Sequence, residues 1–209
     1  FGERSMDDDF LEFCEDRGRG AYGRLKCSAF GGGKLSFGGR WRGRFEWSDP
    51  YDYGRGSRGE DGTWLHRLLV HADWRRGDYL RVYAELGNHL QRGRPGGPRT
   101  TDHDAADITQ GFVDLSHPAG AGRLTWRLGR QEVPFGANRL IAPREAANIR
   151  LSFDGAVALW RHGSWLVRGI AIKPTAVTDG GFDNRTDHGQ RIWGFYAEGR
   201  PAAWAGWRL

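Results

Sequence analysis

The sequence predicts an all-β chain, an antiparallel up-and-down transmembrane β-barrel of which about eight or nine strands are present. Three observations lead there. In the stretch Lys34 to Trp47, Leu35, Phe37, Trp41, Phe45 and Trp47 share one parity, while Lys34, Ser36, Arg40, Arg42, Arg44 and Glu46 share the other. A strand turns that parity into an aromatic face and a cationic face, whereas a helix would spread both around its circumference. Further alternating segments follow, and their connections run long, short, long, short to the end. Soluble meanders have no reason to sort loops by parity, but outer-membrane barrels place short turns on the periplasmic side and long loops outside. Finally, 33 Gly and 10 Trp with only 38% hydrophobic residues and a mean hydropathy of −0.67 suit strands and turns better than a helical core.

Residues 1–33 read as an N-terminal periplasmic extension and residues 34–209 as the N-terminal half of the barrel. In the extension, Asp7, Asp8 and Asp9 precede Phe10 and Leu11; three adjacent carboxylates project in different directions, which fits a solvated charge run better than a calcium site. Cys14 and Cys27 are the only cysteines, either one disulfide of an oxidising compartment or incidental. The first strand ends at a polar loop, Ser48 to Thr63, carrying Asp49-Pro50. The second, Trp64 to Trp74, sets Leu68, Val70, Ala72 and Trp74 against Arg67, His71 and Asp73. After the turn Arg75 to Asp78, the third, Tyr79 to Asn88, sets Leu80, Val82, Ala84 and Leu86 against Arg81, Tyr83 and Glu85. A long loop, His89 to Asp107, precedes the fourth, Ile108 to Ser116, with Gly111, Val113 and Leu115 opposite Gln110, Phe112 and Asp114. In the fifth, Gly122 to Gln131, Leu124, Trp126 and Leu128 oppose Arg123, Thr125 and Arg127.

The loop Glu132 to Ile149 leads to a less cleanly patterned sixth strand, Arg150 to Trp160, read with Phe153, Val157 and Leu159 opposite Ser152, Asp154 and Ala156. The seventh, Trp165 to Lys173, carries Arg168 and Lys173 at opposite parity. After the loop Pro174 to Gly189 come the eighth, Gln190 to Glu198, and a ninth opening at Ala203 to Leu209. Because that strand starts with no closing element after it, the chain is expected to be the N-terminal part of a larger barrel. No apolar run approaches the roughly 20 residues of a membrane helix, and nothing resembles a signal peptide.

Parity sends Arg40, Arg42, Arg44, Arg67, Arg81, Arg123 and Arg127 toward the lumen, countered by Glu46, Asp73, Glu85, Asp114 and Asp154. Arg130 and Lys173 join the pore-lining candidates, although alternation puts Arg130 beside Leu128 unless the strand ends or bulges there. A low-dielectric wall lined this way focuses a positive field and eases the passage of anions. The alternative is that the arginines pair with those acids across strands and hold the wall in register. The net charge is +5, and only Lys26, Lys34 and Lys173 among 31 basic residues are lysines. The planar guanidinium fork of the rest points to a carboxylate or phosphate partner. No motif calls for a cofactor or metal: His66 and His71, five apart on a strand, face opposite ways.

Four groups of residues carry a family resemblance: Arg4…Asp8-Asp9-Phe10-Leu11 with Leu25-Lys26; Leu35-Ser36-Phe37-Gly38-Gly39-Arg40-Trp41-Arg42-Gly43-Arg44; Leu128-Gly129-Arg130-Gln131-Glu132 with Phe135-Gly136…Arg139-Leu140; and Pro143-Arg144-Glu145…Asn148-Ile149-Arg150…Phe153-Asp154-Gly155. Their order and spacing resemble the alginate-export family of Gram-negative outer-membrane barrels. The resemblance implies a monomeric barrel of about eighteen strands in outer-membrane lipid, with this chain supplying roughly the first half. It also implies a basic pore that conducts an anionic polysaccharide, or another anionic solute, outward, with a place for periplasmic export partners. Carried over by position, its pore residues are Arg40, Arg44, Arg67, Arg127 and Arg130.

Three rival readings differ in class. A carbohydrate-hydrolysing enzyme could draw carboxylates from Asp154, Asp179 and Asp183, but none sits in a distinctive motif. A nucleic-acid binder would interleave aromatics with basic residues on one exposed face, whereas here Trp and Arg take opposite faces. A soluble β-sandwich, carbohydrate-binding or otherwise, would bury the aromatic face and dissolve without detergent.

Overall fold

Strict alternation lets a strand pair its backbone with neighbours while sorting its side chains between two faces. The described runs do form strands in the computed structural model, which describes Met6, Cys14 and residues 20–49, 61–135 and 138–199. A short helix α1 (Ala21–Lys26) and strand β1 (Ser28–Phe30) lead into β2 (Gly33–Ser48). There follow β3 (Asp61–Arg76), β4 (Leu80–Arg92), β5 (Asp104–Ala119), β6 (Gly122–Gln131), β7 (Phe153–His162), β8 (Trp165–Ala176), β9 (Arg185–Thr186) and β10 (Ile192–Glu198). The strand expected at Ala203 to Leu209 lies outside the described residues. Strands β1 to β8 and then β10 pair in sequence order, each antiparallel to the last, with β9 beside β8. Among the described residues β1 and β10 do not meet, so the sheet is an open arc, consistent with an incomplete barrel. A disulfide joins Cys14 to Cys27, a bond that persists in oxidising compartments.

The β3–β4, β5–β6 and β7–β8 connections are tight turns in which Gly77, Gly120 and Gly163 adopt φ of +54°, +59° and +54°, a region glycine enters without a Cβ clash. The β1–β2 turn, Gly31-Gly32, lies at the same end, whereas the β2–β3, β4–β5, β6–β7 and β8–β10 connections are long and lie at the other end, in the order the sequence predicts. Opposed glycines mark the β6–β7 pair, Gly129 (φ +128°) facing Gly155 (φ +151°). A Cβ on Gly129 would sit 2.9 Å from the Cα of Phe112, so the approach of β5 there requires glycine.

The two faces of the arc are sorted in reverse of a water-soluble sheet. Trp41 (68% exposed), Trp193 (79%) and Phe195 (84%) stand on the outer face with Phe45, Leu68, Val70, Val82, Leu86, Leu115, Trp126 and Leu128. The inner face buries Arg67 (1% exposed), His71, Asp73, Glu85, His89 and Asp114. A soluble protein hides its apolar surface and solvates its charges; hydrocarbon outside and polar groups inside is the arrangement of a lipid-embedded wall. Trp64 and Trp74 on β3 bracket Leu68, Val70 and Ala72. Ten residues at about 3.4 Å each, tilted about 45°, span roughly 24 Å of bilayer, close to the apolar band of outer-membrane barrels. Among the described residues no helix is long and apolar enough to cross a membrane.

The register of β7 inverts the sequence reading. Val157 lies opposite Arg127 and Leu159 opposite Thr125, so Phe153, Val157 and Leu159 face inward, while Asp154 lies opposite Arg130 and faces outward. The reason lies in the β6–β7 connection, whose described residues 132–135 and 138–152 fold back across the inner face instead of projecting from the sheet end. Its Val133 and Phe135 join Phe153, Val157, Ile170 and Ile172 in an apolar cluster, with Ile141, Leu151, Leu159, Ile192 and Tyr196 packed against it. This patch of inner wall is covered by its own loop and so is apolar, which is why alternation alone assigned it to lipid.

Candidate functional site

The inner face carries two groups of charge, one toward the tight turns and one toward the long loops. Near the turns, successive strands place Asp73, Arg81, Asp114 and Arg127 side by side, alternating in sign. Arg127 donates to both oxygens of Asp114 (Nε to Oδ1 2.7 Å, Nη2 to Oδ2 2.6 Å), and Arg81 donates to both oxygens of Asp73 (2.9 and 3.0 Å). Arg75 also reaches Asp73 (3.1 Å). The Arg127 guanidinium lies 3.8 Å from the centre of the Phe112 ring, itself stacked on Tyr83, a cation–π arrangement that fixes the fork. Met6 of the N-terminal segment packs on this aromatic pair, and its carbonyl accepts from Arg81 (2.7 Å). A cavity of about 570 Å³ opens here, lined by Arg81, Asp114, Arg123, Arg127, Arg161 and Arg168 among others.

Toward the long loops, Arg42 on β2 lies directly opposite Arg67 on β3. Like charges in that position repel, and the β6–β7 loop supplies what separates them. The Glu145 carboxylate pairs with Arg67 and Arg150 and lies 3.6 Å from Arg42. Arg42 donates to the carbonyls of Glu145 (2.8 Å) and Ala147 (3.0 Å), and Arg44 donates to that of Ala146 (2.7 Å). Below this tip, fully buried Asn148 donates its amide to the carbonyls of His66 (2.9 Å) and Asp102 (3.0 Å), and its backbone N–H donates to Asp102 Oδ1 (2.9 Å). Arg150 meets Glu132 (3.4 Å), both nearly inaccessible.

Burial pushes the Glu145 carboxyl up, but the Arg67 hydrogen bond and the charges of Arg150 and Arg67 outweigh it and leave its pKa below the ordinary 4.5. A carboxyl lowered on docking stabilises the docked loop fully above the undocked value and less as pH falls through the lowered one. A spin label on Ala146→Cys should therefore stay immobilised down to about pH 4.5 and gain mobility below it.

Residues 33–209, most of the chain, match the sequence profile of the alginate-export family. The chain belongs to the alginate-export family. No curated protein and no solved structure matches it. The alginate-export family is one of outer-membrane transport porins rather than enzymes, in keeping with the outward aromatics and inward charges described above.

Against that family reading, the register places Arg40, Arg42, Arg44, Arg67, Arg81, Arg123 and Arg127 on one face, with Glu46, Asp73, Glu85 and Asp114. Glu46 pairs with Arg44 (3.0 Å). Glu85 is held by neutral donors, Tyr83 (3.0 Å), Thr109 (2.9 Å) and Gln110 (3.2 Å). Arg130, Asp154 and Lys173 stand on the opposite face, against expectation. There Arg130 donates to Asp154 (2.9 Å) and Thr186 donates to the same carboxylate (2.7 Å), while Lys173 lies 3.1 Å from His188. This cluster pins the β8–β10 connection to the outer rim, where the largely covered Arg130 and Asp154 charges satisfy each other. Sequence reasoning gave no role to Glu145, Asn148, Arg150, Arg161 and Arg168. The first three sit in the motif Pro143-Arg144-Glu145…Asn148-Ile149-Arg150, and a charged motif in a loop that should have been exposed was the available signal.

Proposed function

We propose that the protein is a Gram-negative outer-membrane porin whose electropositive lumen passes an anionic polysaccharide of the alginate kind, or another anionic solute, outward. Arg40, Arg42, Arg44, Arg67, Arg81, Arg123 and Arg127 line the path, with Arg161 and Arg168 beside them; Arg130, Asp154 and Lys173 stay at the outer rim. Residues 1–33 lie on the periplasmic side, where export partners would meet a monomeric barrel.

The observation that carries this reading is the direct opposition of Arg42 and Arg67 on the inner face, where one carboxylate, Glu145, is shared among Arg42, Arg67 and Arg150 and leaves an excess of positive charge. In a low-dielectric wall such a field enriches anions along the inner face. In planar bilayers the full-length protein should pass chloride over potassium. Arg40→Ala with Arg44→Ala should lower that permeability ratio by a factor of about two to five. Cation preference in the native protein, or a ratio unmoved by the double substitution, contradicts the assignment.

A further inference from the structure

The β6–β7 loop is attached to the wall in two ways that differ in kind. Val133, Phe135 and Ile141 pack against the apolar cluster of β7 and β8, an attachment that no dissolved ion replaces. Among the described residues the tip, residues 144–147, is held to the wall by guanidinium groups, through the Glu145 carboxylate and three carbonyls. Arg144 takes a φ of +59° beside it, a left-handed backbone that a non-glycine residue adopts only when its surroundings impose it. The Glu145 side chain is 44% exposed while Arg67 is 1% exposed, so solvent reaches the carboxylate but not the cation behind it. Two donors of Arg67, Nε and Nη1, are buried without a hydrogen-bond partner among the described residues.

Resting on the anion-porin reading above, we propose that Arg42, Arg67 and Arg150 form a carboxylate-binding site, which the chain's own Glu145 fills as an internal ligand. A solute carboxylate, as on a uronic-acid sugar, takes the site by exchange. Exchange of one carboxylate for another keeps the charge between Arg42 and Arg67, so the two arginines need not face each other bare. The planar fork favours a carboxylate over a spherical or linear anion because it can donate two parallel hydrogen bonds. The loop tip is then a tethered competitor: it closes the site when the path is empty and yields to cargo, while the apolar anchor keeps the loop in the lumen.

The test is block of chloride current by glucuronate in planar bilayers, for the native full-length protein and for Glu145→Gln, with glucose as the neutral control. With the internal carboxylate removed, the half-blocking glucuronate concentration should fall at least about tenfold, as loss of a tethered competitor predicts. Block by thiocyanate, which cannot use the fork, should change by less than about twofold. An unchanged glucuronate block, or equal tightening for thiocyanate, overturns the proposal. If Glu145→Gln does not insert, a spin label on Ala146→Cys, which keeps Glu145, puts the same question. Glucuronate but not glucose should mobilise it, and a label that ignores glucuronate overturns the proposal. The same recordings read the native chloride preference, so failure of the porin reading shows as lost anion selectivity and failure of this site does not.

Discussion

Arg150→Met is expected to destabilise the folded barrel by about 3–5 kcal/mol, the usual cost of leaving one member of a buried ion pair behind. Arg150 is 5% exposed and Glu132 2% exposed, so the remaining carboxylate cannot recover its hydration without opening the loop. Methionine fills much of the arginine stem's volume, which keeps the loss electrostatic rather than steric. Adding Glu132→Gln should return most of the loss, because the pair is costly to break and cheaper to replace as a whole. Urea titration of protein folded into lipid vesicles, followed by gel mobility, measures both. Equal stability of the single and double variants would mean that Glu132 and Arg150 do not depend on each other.

The second large effect concerns the outer face. Val70→Arg places a guanidinium between the Trp64 and Trp74 levels of β3 and should cost about 2–4 kcal/mol, the penalty for arginine at the bilayer midplane of a β-barrel. Thr125→Arg on the inner face, beside the cavity with Arg127, should cost less than about 1 kcal/mol. The same side chain thus separates the two faces by its cost. If both substitutions cost alike in vesicles, the outer face is not in contact with lipid.

The strands were legible because a period of two survives in any sheet with unlike faces. The predicted Lys34 to Trp47 and the observed Gly33–Ser48 differ by one residue at each end, and Gly122 to Gln131 agrees at both. Parity placed Arg40 through Arg127 on one face because the opposing positions are mostly aromatic, aliphatic or glycine in the middle of β2 to β6. It failed at β7, where Val157 and Leu159 are apolar because a loop covers them and not because lipid does. A strand with apolar residues on both faces gives no sign of which is which, and the error carried Asp154 to the wrong side. β5 holds a related irregularity: Glu85 pairs with Gln110 but Leu86 with Ile108, so Thr109 is an extra residue that turns Asp107 inward, and a second shift, between Gly87 and His89, brings Asp104 to the same face. Asp104 and Asp107 are buried in consequence, at positions read from sequence as loop.

The site was half legible. The turn-end ladder of Asp73, Arg81, Asp114 and Arg127 follows from parity and strand order together. The loop-end group does not, because Glu145 reaches Arg67 across 78 residues of sequence and meets it, with Arg150 on the same carboxylate, only after the loop folds inward. The excess of arginine on β2 was the visible half of that contact. Its complement was written in a loop motif whose spacing belongs to no strand.

The orientation of the two faces is tested most directly by accessibility along β3. With Cys14 and Cys27 held as a disulfide, single cysteines at residues 67 to 72 can each carry a spin label in protein folded into vesicles. Labels at 68, 70 and 72 should collide with lipid-soluble oxygen and be shielded from a water-soluble nickel chelate, and labels at 67, 69 and 71 should be shielded from oxygen. The opposite alternation, or none, would contradict a wall with hydrocarbon on its aromatic side and water on its arginine side.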